Sequence, residues 1–231
     1  MRRFWQHAAA TATDAGHVIT LDGKPMRLPG GPVLVVPGAA LADCIAAEWQ
    51  AAPEEFGPDH LRLTGLAGTV PRIAADPHPT IDALARYGES DLLCYRAATP
   101  EALVRRQQTL WQPWLDWAAN ALDAKLRVAR GVMFVPQDRQ ALAALRQAVA
   151  ACPAGVLAAL GMVVPATGSL VLGLAMVAGV LEAAAAQALA DLDERFQNEV
   201  WGEDAAALAR RDRIAADLAA AERFLALVRA T

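Results

Sequence analysis

The chain has 231 residues, enough for one large domain or two small packed ones, and 55% are hydrophobic, with a mean hydropathy of +0.24. A net charge of -4 and a pI near 5.6 exclude the basic field that nucleic acid or anionic lipid requires. Cys44, Cys94 and Cys152 are odd in number and far apart, which excludes a disulfide framework and a zinc cluster and points to a reducing compartment.

The N-terminal Arg2 and Arg3 are followed by no sustained apolar run, so the start does not read as a secretory signal and a bacterial cytoplasmic protein is expected. The segment from His17 to Leu28 flanks Asp22-Gly23, a pair suited to a type I′ turn, and predicts a β-hairpin. Val33 to Val36 predicts a third strand. Leu41, Ile45, Glu48 and Trp49 fall at helical spacing, and Pro53 closes that helix. Leu61, Leu63 and Leu66 alternate loosely and suggest a strand or extended edge. Ile81 and Leu84 suggest a short helix entered through Pro79, and Leu92 to Arg96 a buried strand.

Thr99-Pro100-Glu101 predicts a helix start, with a hydroxyl to cap and proline at the first position. The helix beyond it places Leu103, Gln107, Trp111, Trp114 and Trp117 on one broad stripe, with a kink or restart at Pro113. The three tryptophans suit the core better than a docking patch. Leu126 to Val135 predicts a strand, and a domain boundary is expected at Pro136, separating 1–136 from 137–231.

Everything after that boundary reads as helix. The charge-free run from Gln147 to Leu181 is broken by prolines and glycines, and its last piece, Leu170 to Leu181, falls short of the roughly 20 residues of a membrane span. One long helix is expected from Ser169 to Trp201, entered through Gly168-Ser169 and stopped by Gly202. A last helix is expected from Asp204 to Arg229, with Arg213 and Asp217 paired one turn apart. The fold class is therefore α+β: a β-rich α+β domain followed by an all-α orthogonal bundle.

Few residues suggest catalysis. His7, His17, His60 and His78 are scattered, no P-loop is present, and Ser90 and Ser169 lack the flanking glycines of a nucleophile elbow. Cys94 shares a strand face with Arg96, so an activated thiol is one reading and a small core residue the preferred one. The crowd from Asp191 to Asp204 is the most informative segment. Acidic residues at a helix C-terminus oppose the macrodipole, so this placement reads either as a solvated face or as a surface for a partner. Paired carboxylates also occur in glycosidases, but no sugar cleft accompanies them.

Several stretches together resemble one family. They are Arg3-Phe4-Trp5, Leu21-Asp22-Gly23-Lys24-Pro25, Ala47-Glu48-Trp49, Leu63-Thr64-Gly65-Leu66-Ala67, Asp91 to Arg96, Arg106-Gln107, Thr167 to Leu172, and Glu194 through Gly202. Their order and spacing are similar to the ATP-twelve family of ATP synthase assembly chaperones. The resemblance implies a chaperone without catalysis or cofactor that binds the unassembled alpha subunit of the F-type ATP synthase. Relatives in eukaryotes would work in the mitochondrial matrix. The expected client-facing residues are Asp193, Glu194, Gln197, Glu199, Trp201 and Gly202, on a protein that is a monomer and enters no membrane. The readings left open beside it are a hydrolase and a membrane-associated scaffold.

Overall fold

A computed structural model describes residues 1–28, 31–131, 133–202 and 204–230. The N-terminal sheet is built on β2 (Gly16–Leu21), which pairs antiparallel with β1 (Ala8–Thr13) on one side and with β3 (Lys24–Pro25) and β4 (Val35–Val36) on the other. Asp22 and Gly23 take φ of 49° and 79°, the two positive angles that a type I′ turn demands. β1 was not expected: its Ala/Thr sequence carries no hydrophobic alternation, and only its ladder to β2 orders it. Gly16 is obligatory, because at φ 130° an added Cβ would sit 2.8 Å from the carbonyl oxygen of Val36.

Helix α1 (Ala39–Ala51) packs on this sheet. The expected strand at Leu61 to Leu66 is instead the start of helix α2 (Arg62–Ala75), with Leu63, Leu66, Ala67 and Ile73 buried. Those spacings are helical, and the apparent alternation came from Leu61, which lies outside the helix. The first turn of α2 is capped from α1. The Glu48 carboxylate accepts the N–H groups of Leu63 (2.7 Å) and Thr64 (3.0 Å), and the Thr64 hydroxyl (3.1 Å). Burial pushes the Glu48 carboxyl up, although these bonds oppose it. Glu48→Ala is expected to cost about 1–2 kcal/mol, read as a lower urea midpoint.

Helix α3 (His78–Ala85) follows, with Pro79 in its first turn as expected. Leu92–Cys94 is one turn of 3₁₀ helix, and only β5 (Tyr95–Arg96) is strand. Helix α4 (Glu101–Leu122) runs unbroken through Pro113, which lies on its exposed side, while Leu103, Gln107, Trp111, Leu115 and Ala118 face inward. Pro100, not Thr99, precedes the helix, and no side chain caps it there. Trp111 alone of its set is fully buried; Trp114 and Trp117 are half-buried.

The strand expected over Leu126 to Val135 shrinks to β6 (Ala129–Arg130), parallel to β5. Val132 lies outside the described residues, and Met133 and Phe134, which the longer strand would have buried, are exposed. Helices α5 (Arg139–Ala150) and α6 (Ala154–Thr167) come next.

The single long helix expected from Ser169 to Trp201 is three: α7 (Leu170–Ala178), α8 (Ala183–Ala190) and α9 (Leu192–Trp201). Gly179, at φ 74°, ends α7, and the chain turns again at Asp191. Every residue from Leu170 to Met176 is buried, so this apolar stretch is core. Among the described residues no helix is long and apolar enough to cross a membrane. Helix α10 (Ala205–Arg229) closes the chain, capped by Asp204. Its Asp217 pairs with Arg62 at 2.6 Å rather than with Arg213, tying α10 to α2. α6 lies against α2 and α10, and α3 against α5, so one cluster of buried apolar side chains joins these helices.

Candidate functional site

The division of the long helix reverses the electrostatics of the acidic segment. Asp193 and Glu194 occupy the first turn of α9, where the positive end of the helix dipole favours carboxylates, so their placement stabilises the helix instead of opposing it. Asp191 sits at the turn itself, 7% exposed, and burial pushes its carboxyl up, aided by Glu194 and opposed by Arg195 and Arg211.

A buried polar strut holds α9 against α4. The Asp193 carboxylate accepts from Gln107 Nε2 at 2.7 Å, while Gln107 Oε1 accepts the Ala97 N–H at 2.7 Å. Arg96 donates to the Gln107 carbonyl at 2.7 Å and to the Leu93 carbonyl at 2.8 Å, with its guanidinium 5.4 Å from the Trp111 ring centre. The Trp111 indole N–H in turn donates to the Leu189 carbonyl at 2.9 Å. Gln107 and Trp111 are wholly buried, so each of these groups has a partner that removal would strand.

Further along α9, the Glu199 carboxylate accepts two bonds from Arg106, at 2.5 and 3.1 Å, and those bonds hold its carboxyl below the ordinary value. The Arg106 guanidinium also covers the Phe196 ring at 5.2 Å. Glu194 pairs with Arg210 of α10 at 2.6 Å. The exposed end is apolar: Trp201 is 84% exposed and Val200 66%, beside Gly202, whose φ of 82° ends the helix. Leu208 on α10 and Leu110 on α4, one turn from Arg106, are also exposed.

The six expected residues thus divide by what they touch, with Gly202 as the residue that ends the helix. Asp193, Glu194 and Glu199 are bonded to Gln107, Arg210 and Arg106 of their own chain. Gln197 and Trp201 are exposed and have no protein partner among the described residues. Sequence reasoning missed Val200, Leu208 and the three partners. Val200 stood beside Trp201 and was readable. Arg106 lies 93 positions from Glu199, and no local pattern joins them.

The competing chemical readings find little support. Cys94 is buried, and its thiol is pushed up to about 12, by burial first and then by Asp91, with Arg96 opposing. That protonated thiol is a core residue, not a nucleophile. Among the described residues no group of three His, Cys, Asp or Glu is arranged to hold a metal ion. A cavity of about 570 Å³ between α2, α6 and α10 is lined by Leu66, Ile73, Leu157 and Met162, with Arg72 and Asp217 its charged members.

Residues 2–119 match the family described as ATP12 chaperone protein. The chain is 26% identical over 214 residues to "Protein atp12, mitochondrial" of Schizosaccharomyces pombe, covering 87% of this chain and 74% of that protein. The crystal structure of Atp12 from Paracoccus denitrificans superposes with a TM-score of 0.88 at 42% identity, covering 98% of this chain and 97% of that one. The Atu1473 protein of Agrobacterium tumefaciens superposes with a TM-score of 0.91 at 40% identity, over 98% of this chain and 86% of that one.

Proposed function

The chain belongs to the ATP12 chaperone family, and from that premise we propose that it holds the unassembled alpha subunit of the F-type ATP synthase until the beta subunit replaces it. An alpha subunit without its neighbours exposes apolar interface that invites aggregation, and a holding protein must cover that surface reversibly. The observation that carries this reading is the corner between α9 and α10. Trp201 and Val200, 84% and 66% exposed, stand at the end of a helix whose base is pinned to α4 through Asp193 and Gln107. A rigidly based aromatic side chain supplies apolar contact with little ordering cost, while the Glu199–Arg106 and Glu194–Arg210 pairs form a polar rim. Moderate affinity follows, which release requires.

We assign this work to a monomer in the bacterial cytoplasm; the fission-yeast relative is named a mitochondrial protein. The test is light scattering as alpha subunit is diluted from denaturant. Equimolar chain is expected to suppress the scattering, and addition of beta subunit to release alpha into a complex with beta. Unchanged scattering at several-fold molar excess of the chain would remove the proposal.

A further inference from the structure

We infer that the open edge of β1 is a second docking element, which takes an extended segment of the client by strand addition. The inference rests on the client-holding reading above. Pairs hydrogen-bonded across an antiparallel ladder alternate with pairs that are not. The turn closes on Thr13↔Gly16, and at the other end the Asp22 N–H donates to the His7 carbonyl at 2.8 Å. Residues 7, 9, 11 and 13 therefore face β2, and the N–H and C=O of Ala8, Ala10 and Ala12 point to the open side.

On that side the Ala8 N–H is taken by Gln50 Oε1 at 2.8 Å. No protein group among the described residues bonds the outward N–H of Ala10 or Ala12. Exposed edges are ordinarily guarded by charge, proline, a bulge or a covering element. β1 reads Ala-Ala-Ala-Thr-Ala-Thr, pairs without a bulge, and packs chiefly on β2 and α1. Ala9, Thr11, Ala12 and Thr13 are exposed, and none is large enough to exclude a neighbouring strand.

The occupant is a client segment rather than a second copy. A stable dimer covers roughly 800 Å² per partner with large side chains at its centre, and a six-residue strand of alanine and threonine falls far short. Such an edge contributes only when its partner is already tethered elsewhere, since the second contact then forms at high effective concentration. A client held at the Trp201 corner supplies such a tether where its bound surface extends to the sheet, which a free second copy of the chain does not. Backbone pairing reads no side-chain sequence, which suits a surface meant for an incompletely assembled chain.

The test is residue-resolved amide exchange on the intact protein, free and bound to alpha subunit. Exchange at Ala10 and Ala12 is expected to slow by at least about tenfold on binding. Ala12→Pro removes an outward donor and leaves the β2 ladder intact, and is expected to weaken binding about three- to tenfold. Should that variant unfold, the exchange result on the unaltered chain decides alone. Protection confined to the α9–α10 corner overturns the strand-addition inference and leaves the client reading standing. Failure to form any complex removes both. Protection of the same two amides in a free dimer, seen by sedimentation, overturns it in favour of self-pairing.

Discussion

At pH 4, Asp91→Ala is expected to lower stability by about 3 kcal/mol and the melting temperature by about 6–12 °C. Asp91 is fully buried between the 3₁₀ turn before β5 and the start of α7. Its carboxylate accepts the Ser169 hydroxyl at 2.8 Å, the Val171 N–H at 3.0 Å and the Leu93 N–H at 3.1 Å. Ser169 in turn caps α7 by accepting the Leu172 N–H at 3.1 Å. Truncation leaves three buried donors without partners, at a cost of about 1 kcal/mol or more each. Thermal unfolding followed by circular dichroism reads the loss, and a variant melting within about 2 °C of the original chain would show that the site relaxes around the gap.

The same residue sets a pH dependence of unusual sign. Burial raises the Asp91 carboxyl from 3.8 to about 6, against the bonds from Val171, Ser169 and Leu93, which lower it. Between those two values the folded chain holds this proton more tightly than the unfolded one, so stability from Asp91 is full below about pH 4 and falls as pH rises through about 6. Asp91→Asn cannot ionise. The stability difference between the two proteins is therefore expected to shift by about 2 kcal/mol in favour of the variant from pH 4 to pH 7. Urea titrations across that range measure it, and a difference flat with pH sinks the assignment.

The second large effect concerns the client. Trp201→Ala is expected to weaken alpha-subunit binding about 30-fold or more, as loss of an aromatic anchor does, with the melting temperature of the free chain unchanged. The separation follows from exposure: at 84% exposed, the indole contributes almost nothing to the chain's own core. Trp201→Phe, which keeps an aromatic ring, is expected to recover much of the binding. The readouts are titration calorimetry and the scattering assay. Full activity of Trp201→Ala would move the docking surface elsewhere, and the exposed Met133 and Phe134 beyond β6 are the next apolar candidates.

The stretches that carried the family resemblance were legible as strings, but their role was not. Trp5 donates its indole N–H to the Trp49 carbonyl at 3.1 Å, Trp49 donates to the Thr64 hydroxyl at 3.0 Å, and Glu48 caps the helix whose first turn holds Thr64. Asp91 meets Ser169 across 78 positions in the same way. These residues build the scaffold, whereas Val200 and Trp201 at the corner are free to touch a partner. The acid-rich segment reads in sequence as opposing a helix dipole, and the division of the long helix removes that reading. Asp193, Glu194 and Glu199 are held by Gln107, Arg210 and Arg106, two of which lie on α4, some 86 and 93 positions away.

Local chemistry determined what sequence alone could determine. Asp22-Gly23 dictates its turn through the two positive φ angles, Ser169 its cap through a nearby N–H, and Gly202 its helix end, because each depends only on neighbours along the chain. Tertiary contact decided the rest. β1 exists because β2 offers a ladder, and Leu63 is helical because Glu48 of another helix takes its N–H. The run from Ser169 to Trp201 breaks first at Gly179, a local signal, whereas the direction of α9 after Asp191 is held by the Asp193–Gln107 bond to α4.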